Sequence, residues 1–390
     1  MTPQARVQAA IELLDAVITA ARSGGASADR TLADQFRQRR YMGSGDRRAV
    51  RELVFSAIRA CGPIPASGRA AMLRLAASDP GLAALFDGAR HAPAPIVPSE
   101  QPAEGGLAPA WLEMRLTESG IDGAAAAALL GRAPLDLRIN RLKAGRLELP
   151  LPGESLAVPD GLRFPPGTPV EQWDAYQQGL IEVQDAGSQL TCLAVAANPG
   201  ETVIDLCAGA GGKTLALAAA MDNRGRLLAC DSDRTRLSRL TPRAERAGAS
   251  MIETRLLNPG HEHEALADLT GQADAVLVDA PCSGTGTWRR NPEARWRLTE
   301  RELARLVALQ ARLLDLAATL VRPGGRLVFV TCSLLDAEGA DQAAGFLERH
   351  SGWRATTPVL PAGTVRGAGV RLDPAHDGTD GFFVAQFKTP

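Results

Sequence analysis

From Val203 to the end of the chain, short valine-rich apolar runs alternate with longer stretches whose apolar residues recur at helical spacing. Nothing else in the sequence limits the fold as much. The runs are Val203-Ile204-Asp205-Leu206, Arg226-Leu227-Leu228-Ala229-Cys230, a weaker one over 250–256, Ala275-Val276-Leu277-Val278 and Leu327-Val328-Phe329-Val330. Apart from the weaker one, each carries consecutive apolar residues, as in a strand buried on both faces. Helical stretches fit 213–221, 234–247, 299–320 and 336–349, and Gly381-Phe382-Phe383-Val384-Ala385-Gln386-Phe387 closes as a strand. Alternation at this spacing predicts an α/β fold with a Rossmann-like, doubly wound, mostly parallel sheet. Such sheets bind ligands in the crevice outside the carboxyl ends of their strands.

The chain before this region has a different character. Residues 5–22 place Val7, Ala10, Ile11, Leu14, Val17 and Ile18 at helical spacing, and further helices fit 28–40 and a stretch from Asp46 that carries Val50, Val54 and Ile58. These predict an all-α N-terminal domain. Residues 91–109 are dense in Pro, Ala, Gly and Glu and read as a linker, with a helical segment over 109–130. Leu135-Asp136-Leu137-Arg138-Ile139-Asn140 alternates apolar and polar residues and predicts a half-buried strand. Proline-rich pieces fill 144–180. The expected domains are therefore 1–130 (helical), 131–180 (small, intermediate) and 181–390 (α/β).

Cations are chosen lopsidedly: three lysines, Lys143, Lys213 and Lys388, against forty arginines, with a net charge of −1. The abundance of Ala, Gly, Arg and Pro accounts for this as nucleotide composition. Residues 1–60 hold ten Arg against six acidic residues, an excess compatible with RNA contact and equally with a solvated face. The six cysteines (61, 192, 207, 230, 282, 332) are dispersed, without a C-x-x-C pair, which argues against a disulfide framework or a zinc site. With no signal-peptide pattern and no apolar run of membrane-spanning length, a cytoplasmic protein acting alone, without a membrane partner, is expected.

The loop Cys207-Ala208-Gly209-Ala210-Gly211-Gly212, between a strand and the helix opened by Lys213-Thr214, suits a ribose-bearing ligand, with Asp231 at the next strand end to take ribose hydroxyls. It lacks the G-x-G-x-x-G of dinucleotide sites, and Gly209 stands too close to Gly212-Lys213-Thr214 for a Walker A loop. A nucleoside without pyrophosphate remains, of which S-adenosylmethionine is the commonest.

Two further strand ends carry thiols: Asp279-Ala280-Pro281-Cys282-Ser283-Gly284-Thr285-Gly286 and Thr331-Cys332-Ser333. Parallel strands would bring both to one crevice. A lone strand-end cysteine is usually an apolar filler; two beside a nucleoside loop suit nucleophilic chemistry. A thiolate attacking C6 of a pyrimidine makes C5 nucleophilic toward a methyl donor. Asp279 could hold the base, and Lys213 could orient base or donor. Arg289, Arg290, Arg295, Trp296 and Arg297 after the Cys282 loop could supply cations and a stacking face for RNA, or form a solvated loop with a packed tryptophan.

On these stretches, with Gln184-Asp185-Ala186-Gly187-Ser188-Gln189 and Asp380-Gly381-Phe382-Phe383, residues 135–390 resemble the RsmB/Nop2/Sun family of RNA (cytosine-C5) methyltransferases. The N-terminal helices are similar to the NusB-like RNA-binding domain that many members carry. The resemblance implies that Cys332 is the nucleophile and that Cys282 assists release of the methylated base. It implies further that Asp279 contacts cytosine near the donor and Lys213 supports the base. S-adenosylmethionine would then be held by residues 207–213 with Asp231, Asn258 and Asp279. DNA cytosine methyltransferases use the Pro-Cys thiol and lack the Thr-Cys one, so the pair implies RNA rather than DNA, and structured ribosomal RNA is the partner expected first. Transfer RNA, or a non-catalytic role in ribosome assembly, stands as the alternative. This chain departs from the family in having Asn258 for the usual aspartate, which predicts weaker donor binding. It also has Glu338-Gly339-Ala340 where members show a Glu-Asn-Glu-like stretch, and a shortened 144–175.

Overall fold

The computed structural model describes residues 1–143, 145 and 147–389, so Ala144 and Arg146 of the proline-rich region lie outside the described residues. The chain forms two compact units, one of Met1–Gly131 with Thr287–Thr299, the other of Arg132–Gly286 with Glu300–Pro390.

The first unit is helical, built on α1 (Pro3–Arg22), α2 (Ala28–Gln38), α3 (Ser44–Ala60) and α4 (Gly68–Ala76), with α5 (Ala110–Glu118) beyond the linker. Thr2, Ser27 and Ser67 cap α1, α2 and α4 by accepting from the backbone N–H of Ala5, Arg30 and Ala70. The apolar faces read from the sequence close on one core, in which Leu14 and Val17 meet Val54, Ile58 and Met72. At Gly68 a Cβ would run into the carbonyl oxygen of Ile11, so the close approach of α4 to α1 needs glycine there.

Residues 287–299 complete this unit, which changes the reading of their arginines and tryptophan. Arg295 is 0% exposed; its Nη2 donates to the carbonyls of Ile58 and Cys61, both at 2.7 Å, and its Nη1 to Pro292 at 2.6 Å. Burial lowers its pKa to about 10. Trp296 lies in the helical core and donates from Nε1 to Gly62 at 3.1 Å, while Arg297 donates to Gly25 and Ala26. These groups satisfy the open carbonyls at the ends of α1 and α3. Trp296 offers no free stacking face, and the Arg295 guanidinium is spent on backbone rather than phosphate.

The second unit holds two sheets. The smaller is antiparallel, in the order β2-β3-β1-β4, from β1 (Leu135–Ile139), β2 (Glu154–Ser155), β3 (Gly161–Phe164) and β4 (Ile181–Val183). Its first strand departs from the expected half-buried pattern, because Asp136, Leu137 and Arg138 are all buried. Arg163 grips Asp136 with two bonds of 2.8 and 2.9 Å, Ala186 N–H donates to Asp136 at 3.0 Å, and Arg138 donates to Gln184 at 2.8 Å. Paired charges replace solvent on that face.

The larger sheet comprises β5 (Thr202–Asp205), β6 (Arg226–Asp231), β7 (Ile252–Leu256), β8 (Ala273–Asp279), β9 (Val321–Thr331), β10 (Arg354–Thr356), β11 (Thr364–Arg366), β12 (Gly369–Leu372) and β13 (Phe382–Lys388). Its order is β11-β12-β13-β9-β8-β5-β6-β7, with β10 beside β13. β7, β6, β5, β8 and β9 are parallel, and β13 joins antiparallel to β9. Alternate side chains feed two cores. Val203, Leu227, Leu277 and Val328 pack with α6 (Ala186–Val195), α7 (Gly212–Ala220) and α8 (Leu240–Ala247). Ile204, Leu228, Val276 and Phe329 pack on the other face with α9 (Glu300–Leu320) and α10 (Ala340–Arg349). The doubly wound, mostly parallel sheet expected from the sequence is the one observed. No helix among the described residues is long and apolar enough to cross a membrane.

Candidate active site

Because β5 and β8 are adjacent and parallel, as are β8 and β9, the chain ends of all three open on one edge, and β6 adds Asp231 at its own end. A cleft of ≈ 630 Å³ lies there, walled by Cys207, Asp231, Asp279, Cys282 and Cys332 together with Leu206, Leu257 and Leu313. Hollows of ≈ 470 and ≈ 450 Å³ elsewhere, at the start of α1 and along α8, carry no thiol and none of the glycine loop.

The loop after β5 is shaped by its glycines. Gly209 and Gly211 take φ of +55° and +85°, and a Cβ on Gly211 would run into Leu240. Asp231 binds the loop directly: Gly209 N–H donates to its Oδ2 and Asp233 N–H to its Oδ1, both at 2.7 Å. The carboxylate is thus fixed before any ligand arrives. Ala210 carbonyl accepts from Arg243 at 2.7 Å, which pins the far side of the loop. Of residues 207–212 the cleft wall includes Cys207. Leu257 and Pro259 also line it, whereas Asn258 between them is exposed and outside the wall.

Lys213, 9% exposed, is also outside the wall and reaches the cleft through Asp279, to whose Oδ2 it donates at 2.8 Å. Its Nζ lies 5.2 Å from the centre of the Phe382 ring. Burial opposes its charge, yet Asp279, Cys192 and Cys332 around it raise its pKa above the ordinary lysine value. It is a fixed cation behind the carboxylate. Asp205 at the root of the loop is fully buried and accepts from Thr214 Oγ1 at 2.7 Å, and burial pushes its pKa up to about 7.

The two thiols meet. Cys282 Sγ and Cys332 Sγ are 3.3 Å apart, close enough to share a proton. The sulfur of Cys332 beside it, then burial, hold the Cys282 pKa well above the ordinary thiol range, so Cys282 keeps its proton at neutral pH. Cys207 is also pushed up, by burial first and then by the carboxylates of Asp205, Asp279 and Asp231. Behind the pair, Gly286 N–H donates to Cys332 carbonyl at 3.0 Å and Gly381 N–H to Gly286 carbonyl at 2.8 Å. A Cβ on Gly286 would strike the Gly381 carbonyl, and one on Gly187 would come within 2.7 Å of the Phe382 ring. Asp380 N–H is held by Asp185 at 3.2 Å. Distant stretches of the sequence are thereby packed into one support for the thiols.

Sequence reasoning missed Arg236, Arg305, Arg312 and Glu262, all in the cleft wall. Arg312 pairs with Glu262 at 2.8 Å and Arg305 with Glu302 at 2.7 Å. The signal was present: Arg305 and Arg312 stand seven apart, on one face of α9.

Known proteins resemble this chain in sequence and in fold. The family of 16S rRNA methyltransferases RsmB/F matches residues 192–388, half of the chain. The chain is 36% identical over 263 residues to ribosomal RNA small subunit methyltransferase B of Erwinia tasmaniensis, a match covering 65% of this chain and 59% of that one. It spans about 60% of the length of the curated relatives it matches. Its fold is similar to the crystal structure of PH0851 (TM-score 0.77, 24% identity, 100% of both chains covered). It is also similar to that of a methyltransferase homolog protein from Pyrococcus horikoshii (TM-score 0.59, 25% identity, 68% of this chain and 90% of that one).

Proposed function

The chain belongs to the 16S rRNA methyltransferase RsmB/F family, and on that premise we propose that it methylates C5 of a cytosine in structured ribosomal RNA through a covalent bond between Cys332 and C6. The observation that carries this reading is the 3.3 Å approach of Cys332 to Cys282 in a cleft that also holds Asp231 and Asp279. That cleft is large enough for a nucleoside, and the carboxylate of Asp231 is already aimed by two backbone N–H groups. S-adenosylmethionine would be held by Asp231, the 207–212 loop and the edge at Leu257, and would supply the methyl group. Asp279, hydrogen-bonded to Lys213, accepts from the exocyclic amine of the base.

Cys332, once its thiol has lost its proton, adds to C6, and the electron pair displaced from the C5–C6 bond makes C5 the nucleophile toward the donor's methyl group, whose bond to sulfur would break with S-adenosylhomocysteine as the leaving group. The C5 proton then leaves to a base and the Cys332–C6 bond breaks. Cys282, which holds its proton, gives it to the departing sulfur. Taking a base out of its stack costs a few kcal/mol, which contacts to phosphate must offset.

The test uses the two thiols. Cys282→Ala incubated with small-subunit RNA should accumulate a covalent protein–RNA adduct, and the adduct should vanish when Cys332 is also replaced. Full methylation by Cys332→Ala would sink the assignment. A bisulfite map of ribosomal and transfer RNA from cells lacking the protein identifies the substrate.

A further inference from the structure

The two cysteines sit on separate loops, and something must hold their sulfurs at a fixed gap. Glu338, in the turn between β9 and α10, is 0% exposed. Its carboxylate accepts from Ser283 N–H at 2.9 Å, from Ser283 Oγ and from Gln310 Nε2 at 3.0 Å. Gln310, also fully buried on α9, donates as well to the Pro281 carbonyl at 2.9 Å. The residues on both sides of Cys282 are therefore held by one carboxylate–amide pair. The carbonyl of Glu338 accepts from Thr331 Oγ1 at 3.1 Å, which fastens the residue before Cys332 to the same turn. Ser333, the residue after it, joins through its hydroxyl to Ser283 (3.2 Å) and Thr285 (3.1 Å).

Among the described residues no arginine, lysine or histidine pairs with Glu338. A buried carboxylate held by neutral donors alone is poor value for stability, since an apolar group of similar shape avoids its desolvation. Positioning explains it better. We propose that Glu338 is a positioning residue for the methyl transfer, its carboxylate and carbonyl clamping the residues next to Cys282 and Cys332 so that the gap between the two sulfurs is set. The clamp rests on the reading of both cysteines as reacting thiols.

Two measurements on the full-length protein test it. The first needs no RNA: diamide takes two electrons and two protons from a thiol pair, and mass spectrometry follows the disulfide-linked Cys282 and Cys332 peptides. The second is steady-state methylation. In Glu338→Ala both the linking rate and kcat should fall by about tenfold or more, the scale set by small misplacements of reacting groups, with KM for S-adenosylmethionine unchanged. Glu338→Gln, which keeps the shape and an accepting oxygen, should recover most of both. Normal linking and kcat in Glu338→Ala, or a Gln variant no better than the Ala one, overturns the clamp. Should Glu338→Ala fail to fold, Ser283→Ala removes one donor alone and must show a smaller fall in both rates, and wild-type rates there overturn the proposal equally. Methylation by Cys332→Ala would instead overturn the reading beneath it, and the linking assay tells the two failures apart.

Discussion

Asp205 carries the least satisfied carboxylate of the site. Thr214 donates to one oxygen, and Oδ1 is buried without a protein partner. Burial lifts its pKa from 3.8 to about 7, so the folded chain holds this proton more tightly than the unfolded one. Its contribution to stability is therefore full below about pH 4 and is lost as pH rises through about 7. Asp205→Asn should gain on wild type in urea midpoint across that window, and a difference that stays flat with pH would count against it. Cys282 belongs to the same scale: its high pKa is a property of the pair, so replacing Cys332 by Ala should bring the Cys282 thiol back toward the ordinary range. Thiol alkylation rate against pH reads this directly, and an unchanged profile would mean that burial alone sets it.

The glycine loop shows how far an element follows from its residues. Gly211 has φ +85° and a Cβ there would run into Leu240, whereas the space around a Cβ on Gly212 is open. Gly211→Ala should cost roughly 1–3 kcal/mol by chemical denaturation, from left-handed strain and displacement of Leu240. Gly212→Ala should be neutral or stabilising by up to ~1 kcal/mol through the unfolded chain. Equal losses at the two positions would contradict this account. The strand–loop–helix unit, the mostly parallel sheet and the convergence of Cys282 with Cys332 were legible, because consecutive apolar residues and turn glycines are local signals. The polar face of β1 was misjudged: Asp136 and Arg138 are buried by partners on β3 and beyond, which no periodicity encodes. The helix expected over 234–247 breaks into Arg234–Leu237 and α8. Arg295 and Trp296 stayed open between RNA contacts and a loop with a packed tryptophan because their carbonyl partners lie more than two hundred residues away.

At the scale of the whole molecule the chain divides unevenly. The helical unit borrows Thr287–Thr299 from the middle of the other unit's sequence. Trp296→Ala should destabilise the helical unit by about 3–5 kcal/mol, the usual cost of emptying a buried tryptophan site, with hydrogen exchange accelerating in α1 and α3. Slow exchange there in the variant would show that the segment is dispensable. The borrowing also orders events during synthesis. Residues 1–131 leave the ribosome before residues 287–299 do, so the core they form lacks Trp296, and the carbonyls of Ile58 and Cys61 lack their guanidinium, until translation has passed residue 299. The N-terminal unit is thus born early and finished late, and a nascent chain stalled before residue 287 should present it only loosely packed. A peptide of residues 287–299 supplied in trans should tighten it.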